Sequence, residues 1–201
     1  MILKDFAYIR LPDPPTAEGL LEANGRPKTL AHVQDVAQEC AKMAQRFGLD
    51  EDKCRLAGML HDISAVIRPS DMLLWAQEKG MPLCEAERRY PFLLHQRLSR
   101  VAAEQFFGVR DEDVLSAVDC HTTLKENASF YDMALFIADK IAWDQPGEPP
   151  YLGPVLDALE RSLEAACLAY MRYTEESGKL LYPHTHWTKA VRWLTSIQSR
   201  E

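Results

Sequence analysis

Residues 29–48 read TLAHVQDVAQECAKMAQRFG, and the spacing of their apolar positions decides the fold class. Val33, Val36, Ala37, Cys40, Ala44 and Phe47 recur every three or four residues, the period of one helix face, and Gly48 supplies a stop. Outward from this stretch the same period returns. A second helix begins near Asp50 and carries Leu56, Ala57, Leu60 and Ile63 on one face before Pro69 intervenes. A third, 70–79, has a serine cap and a glycine stop. Beyond Pro91, residues Phe92, Leu93, Leu98, Val101, Ala102 and Phe106 keep the period up to Gly108, and 111–120 reads as a short helix. Ser129-x-x-Asp132 has the form of a capping box ahead of Leu135, Phe136 and Ile137. DQPGEPP at 144–150 is a turn-rich break, after which 155–173 reads as one long helix and 187–197 as the last, with Val191, Trp193 and Leu194 facing inward. In the other direction, LPDPP at 11–15 continues neither a helix nor a central strand, so the first ten residues are expected to form an extended or strand-like arm. Strand-like alternation is almost absent and no internal repeat is found. The expectation is an all-α single domain: an arm and short helix over 1–28, a core over 29–143, and C-terminal helices over 144–201 that complete the same domain.

Composition narrows the class of partner. The 201 residues are 47% apolar and 26% charged, ordinary globular usage, with a net charge of −7. Such a balance repels nucleic acid and anionic membrane, so an anionic ligand needs a local site. No stretch approaches the length of a membrane span. Cys40, Cys54, Cys84, Cys120 and Cys167 are odd in number and contain no C-x-x-C pair, which argues for a reducing cytoplasm and for small core filler rather than disulfides or a thiolate zinc site.

The chemistry lies in the order of histidines and aspartates. His32, His61, His95 and His121 fall on or at the ends of separate expected helices, with Asp62 directly after His61 and Asp139 in the helix beyond His121. One histidine on a helix flank is ordinarily a bonded core residue; the joint set is a metal pattern. Imidazole and carboxylate without thiolate suit iron, manganese, zinc or cobalt, and a carboxylate bridges two ions where an imidazole does not, which marks Asp62. Two such ions activate a shared water against a phosphoryl group and place local positive charge inside an acidic protein, pointing to phosphoester or phosphoanhydride hydrolysis.

LAGMLHDIS (56–64), LLHQRLS (93–99), DEDVLSAVDCHTT (111–123) and MALFIADKI (133–141) resemble the HD-domain metal-dependent phosphohydrolases, and within them the YqeK-type symmetrical diadenosine-tetraphosphate hydrolases. The resemblance implies an HD helical bundle whose metal-binding core is 29–143. It implies that His32, His61, Asp62 and Asp139 hold one divalent ion and that Asp62, His95 and His121 hold the second. Iron is the expected ion, with manganese, zinc, cobalt or magnesium as alternatives. His61 and Asp62 then act through metal-bound hydroxide, which cleaves a dinucleoside tetraphosphate into two nucleoside diphosphates. Three positions depart from the family pattern. Ala65 stands where members carry a lysine, Leu124 and Lys125 replace a glycine-arginine pair, and 142–145 (AWDQ) replaces a glutamate-proline-x-arginine signature.

Lys125, Arg68 and Arg97 are the candidate substrate cations, with a solvated loop as the alternative for Lys125; Lys140 and Arg100 are weaker candidates. His184-x-His186 follows Pro183 in a loop and lacks a third partner, so capping or exposure is favoured over a second metal motif. Core packing is favoured over base stacking for Trp143, Tyr151 and Trp187. The expected partner is a small nucleotide, with no nucleic acid and no membrane; a homodimer stays open. A nucleotidase or guanosine-tetraphosphate-type phosphohydrolase on the same scaffold, or a non-catalytic metal- and nucleotide-binding regulator, are the competing readings.

Overall fold

Pro27 and Gly48 bound the longest helix for complementary reasons. Proline in the first turn gives up an amide that a helix start leaves unpaired. Gly48 takes φ 68°, a left-handed turn in which its amide bonds the Ala44 carbonyl. The computed structural model describes residues 2–143 and 145–199, and these form eleven α-helices with no strand among them. They are α1 (Ala17–Ala23), α2 (Pro27–Phe47), α3 (Glu51–Leu60), α4 (Pro69–Glu78), α5 (Glu85–Arg89) and α6 (His95–Gln105). There follow α7 (Glu112–Cys120), α8 (Phe130–Ile141), α9 (Leu152–Leu159), α10 (Leu163–Glu176) and α11 (Thr185–Gln198). None is long and apolar enough to cross a membrane.

Helix α8 is buried over its middle, from Asp132 to Ala138, and lies between two cores. Leu135 and Ala138 face a core built from α1 to α4, α6 and α7. Met133, Ala134, Phe136 and Ile137 face a second core supplied by α9 to α11, with Met43 from α2. The last turn of α8 therefore delivers Asp139 to the seam between the cores. Helices α2 and α3 approach at Gly58, where an added Cβ would lie 2.6 Å from the Ala37 Cα. Only glycine fits that spacing, and it brings His32 on α2 up to His61 at the end of α3.

The structure departs from the sequence expectation in several places. Ile2–Asp5 form a 3-10 turn rather than an extended arm, because Ile2 and Leu3 bury completely and the Ile2 amide donates to Gln105 Oε1 at 2.9 Å; Met1 lies outside the described residues. The single helix expected over 155–173 is two: Ser162 Oγ accepts the Ala165 amide at 3.1 Å and caps α10, ending α9. The second expected helix stops at Leu60, leaving His61 and Asp62 in a tight turn ahead of a 3-10 turn at Ile63–Val66. Leu56 and Phe92, expected on buried faces, are 41% and 42% exposed. Leu194 is buried, whereas Val191 and Trp193 are half-buried. Of the break at 144–150, Asp144 lies outside the described residues.

Candidate metal centre

The six expected ligands come from separated parts of the chain and meet in one place. His32 is on α2, His61 closes α3, Asp62 occupies the next turn, His95 begins α6, His121 closes α7, and Asp139 is on α8. Three of the histidines use one local device. Each turns its ring back on its own chain, so that Nδ1 donates to the carbonyl three residues earlier. His61 reaches Gly58 O at 2.7 Å, His95 reaches Phe92 O at 2.6 Å and His121 reaches Val118 O at 2.9 Å. Helix ends leave carbonyls unpaired, and a terminal histidine supplies a donor. With the proton fixed on Nδ1, each neutral ring presents the lone pair of Nε2.

Those lone pairs converge. His95 Nε2 lies 3.0 Å from His121 Nε2, and His61 Nε2 lies 3.4 Å from His32 Nε2. Asp62 stands between them: Oδ1 is 3.4 Å from His95 Nε2 and 3.5 Å from His121 Nε2, while Oδ2 is 3.8 Å from His61 Nε2. Asp139 Oδ1 is 3.0 Å from His32 Nε2 and 3.7 Å from His61 Nε2. His32, His61 and Asp139 bring ligand atoms within 4.8 Å of one another, as do His61, Asp62 and His121. Lone pairs facing each other at such distances repel unless a positive charge lies among them. The donor set, imidazole nitrogen and carboxylate oxygen without sulfur, fits a borderline or hard divalent cation.

Electrostatics point the same way. Burial raises the Asp62 carboxyl, but His61, His121 and His95 outweigh it and hold the group far below the usual carboxylate range. Asp139 is likewise held low against its burial, by Lys140, His32 and the neighbouring rings. Burial is the main cause that brings the His121 imidazole down to about 4, keeping it neutral. The site thus holds two ionised carboxylates among the ring nitrogens, a setting that favours positive charge.

An HD domain family model matches residues 29–144, the segment that contains every one of these ligands. The chain belongs to the HD-domain family. It is 37% identical over 136 residues to an uncharacterized Lactococcus lactis protein encoded in the pepC 5' region, covering 67% of this chain and 70% of that one. It is 30% identical over 158 residues to the symmetrical bis(5'-nucleosyl)-tetraphosphatase of Halalkalibacterium halodurans, covering 77% and 83% of the two chains. The crystal structure of a Clostridium acetobutylicum protein, described as a predicted HD superfamily hydrolase involved in NAD metabolism, superposes with a TM-score of 0.81. That match has 26% identity and covers 90% of this chain and 96% of the other. The HD chain is accordingly a hydrolase with clusters able to bind metal.

Several residues that sequence reasoning passed over hold the HD ligands in place. Gln96 is fully buried; its Oε1 accepts the Thr122 and Thr123 amides at 3.1 and 3.3 Å, and its Nε2 donates to Thr123 Oγ1 at 3.1 Å. This clamps the turn after His121 against α6, with Thr122 Oγ1 3.0 Å from His95 Nε2. Ser64 Oγ donates to the His95 carbonyl at 2.8 Å and its amide donates to Ser99 Oγ at 3.1 Å, locking the Asp62 turn to the same helix. Lys140, expected only as a weaker substrate cation, joins them: it bonds Asp139 Oδ2, and Oδ1 faces His32. Sequence offers only a weak signal for these: polar residues interrupting an apolar face.

The other expected substrate cations have partners within the chain. Lys125 bonds Ser116 Oγ and pairs with Asp132 at 3.1 Å. The Arg68 guanidinium lies 4.3 Å from the Tyr8 ring centroid. Arg97 donates to Pro82 O at 2.8 Å and to Glu87 Oε1 at 2.9 Å. Arg100 pairs with Glu112 at 3.0 Å. The cleft that opens beside Asp62 and His95, about 360 Å³, is lined instead by Arg26, with Ala65, Pro69 and Phe92. Arg26 and Ala65 thus share the wall of one cleft beside Asp62. Among the other expected residues, Tyr151 and Trp187 are buried and Trp143 is 37% exposed.

His184 does cap α11, accepting the His186 amide on Nδ1 at 3.1 Å. The fold nevertheless supplies this motif with the partners that the sequence lacked, since Cys84 and Glu87 of the α5 region lie within ligand distance of His184.

Proposed function

We propose that this HD protein is a two-metal hydrolase of nucleotide phosphoanhydrides, and that its substrate is diadenosine tetraphosphate, cleaved symmetrically to two ADP. The observation that carries the reading is the placement of Asp62, whose two oxygens face different histidines: Oδ1 faces His95 and His121, and Oδ2 faces His61. Such a carboxylate is suited to serve two ions at once. His32, His61, Asp62 and Asp139 would hold one ion and Asp62, His95 and His121 the other, with iron the ion we expect. Two divalent ions supply a water of lowered pKa and polarise the phosphoryl oxygen.

The remaining work falls to the chain. The His61 and His121 side chains are 1% and 2% exposed, whereas Asp62 and His95 are 25% and 21% exposed, so substrate enters over the Asp62–His95 side. Arg26 lines that entrance and neutralises phosphate there, which the chain's net charge of −7 otherwise opposes. Gln96 and Lys140 hold His121, Thr122 and Asp139 in register, so that the ligand atoms stay aligned as charge builds on the phosphate. Symmetrical cleavage is supported by the activity named for the Halalkalibacterium relative.

Chromatography of the products from metal-loaded protein tests this. Two ADP from diadenosine tetraphosphate is the expected result, and ATP plus AMP contradicts the symmetry. Nucleoside plus phosphate from mononucleotides, with the dinucleotide intact, replaces the proposal by a nucleotidase. Pyrophosphate release from guanosine tetraphosphate points to the third scaffold activity. Nucleotide-induced stabilisation without turnover makes the protein a regulator.

A further inference from the structure

Phe92 stands where two cavities meet. Its carbonyl fixes the His95 ring, and its side chain lines both the cleft of Asp62, His95 and Arg26 and a second cavity of about 270 Å³ on the other side. The second cavity is walled by Tyr90, Phe92, Thr122, Tyr170, Tyr182 and Trp187. Thr122 is also the residue whose Oγ1 lies 3.0 Å from His95 Nε2, so this aromatic chamber borders the metal ligands directly. A ligand with phosphate in the cleft reaches the chamber past one side chain.

What the chamber suits follows from its lining. Its walls are mostly ring faces and edges, with one cation, Lys179, whose Nζ lies 5.5 Å from the Tyr173 ring centroid, and the indole Nε1 of Trp187 is already bonded to Glu175 at 3.1 Å. A flat heteroaromatic group gains stacking area on such walls, and Lys179 and the threonine hydroxyls are the polar groups it would meet there. The rim is also left wet: Phe92 is 42% and Leu181 63% exposed, apolar surface that an occupant would cover. Tyr90 and Phe92 sit edge to face with centroids 6.2 Å apart, and Arg89 braces Tyr182 with its guanidinium 4.8 Å from the ring centroid. Both candidate stacking rings are therefore supported from outside.

We propose that this chamber is the nucleobase subsite, in which Phe92 and Tyr182 stack on one base of the substrate while its phosphates lie over Asp62 and Arg26. The assignment rests on the nucleotide phosphoanhydride reading. It adds that reading's missing half, because the cleft alone recognises phosphate and not a nucleoside.

Calorimetric titration of the purified protein with ADP and with pyrophosphate separates the base from the phosphates. Wild type is expected to bind ADP at least about tenfold more tightly than pyrophosphate. Phe92→Ala and Tyr182→Ala should each erase about tenfold of ADP affinity and leave pyrophosphate affinity unchanged, with Phe92→Trp retaining ADP binding. In turnover the same alanine variants should raise KM for diadenosine tetraphosphate far more than they lower kcat. Equal losses for ADP and pyrophosphate, or no loss for ADP, overturn the subsite. Should Tyr182→Ala fail to fold, Phe92→Ala decides, since that side chain is half in solvent. If the wild type cleaves no dinucleotide yet the ADP-specific loss is seen, the substrate assignment fails and the base subsite stands. If the dinucleotide is cleaved and ADP affinity is untouched, the subsite alone fails.

Discussion

His61, His95 and His121 donate Nδ1–H to carbonyls three residues back, whereas His184 does the reverse and accepts the His186 amide on Nδ1. That single difference separates two groups that look alike as composition. In the first group the Nε2 atoms stand beside the ionised Asp62 and Asp139 carboxylates, so all of them face the same space. In the second, Nδ1 is taken up by the His186 amide and Nε2 faces Glu87 Oε1 at 3.8 Å. Glu87 is also committed, accepting Arg97 at 2.9 Å and the Cys84 amide at 2.8 Å. Proximity of histidine and carboxylate alone does not distinguish the two groups, since both bring ligand atoms close enough to share a cation. The difference we expect to matter is the tautomer set by the local backbone together with the carboxylate's existing partner, and on that ground the first group is expected to attract a cation and the second to brace two helices.

The sharpest way to break this comparison is to remove a carboxylate from each group. Asp62→Ala should reduce hydrolysis on the order of 10³-fold or more, measured as initial rates with saturating metal, because both ions lose a ligand. In the brace, Arg97→Ala should leave metal content unchanged. It should cost about 2–3 kcal/mol of stability in urea melts, since Glu87, 2% exposed, is left ionised without its guanidinium.

The brace also has a pH signature. Burial raises the Glu87 carboxyl, but His184, the Cys84 amide and Arg97 outweigh it and bring the group from 4.5 down to about 2. A depressed carboxylate contributes stability above its unfolded value and loses it as pH falls through the folded one. The stability difference between wild type and Glu87→Gln should therefore be largest above pH 4.5 and shrink toward pH 2 in acid denaturation.

The smallest of these effects separates Arg26 from the cations that sequence proximity suggested. Arg26→Ala should raise KM for diadenosine tetraphosphate about tenfold with little change in melting temperature, the loss of one charge-assisted phosphate contact. Arg68→Ala should leave KM where it was.

These contrasts also show what could be read from the chain. The α2 helix and the ligand order were legible because period and spacing are local, and His61, His95 and His121 need only their own helix end to be aimed. Lys125 was misleading because Leu124 adopts φ 54°, a left-handed conformation uncommon for leucine, and buries its side chain completely. The chain turns there, and Lys125 runs to Ser116 and Asp132 although it is close to His121 in sequence. Arg26 lies far along the chain from Ala65, so no local pattern joins them. The split at Ser162 was hidden by an apolar period that continues through it, the hydroxyl cap being the only mark. His184 was read as a cap and is one, yet Glu87 and Cys84, about a hundred residues earlier, could be brought to it only by the tertiary fold.

Metal location tests the central claim most directly. Crystals of protein purified from metal-replete culture, measured at the absorption edges of iron, manganese and zinc, should show two anomalous peaks among His32, His61, Asp62, His95, His121 and Asp139, and none beside Cys84, Glu87 and His184. A single peak remote from His95 and His121, or a peak at His184, would contradict the account.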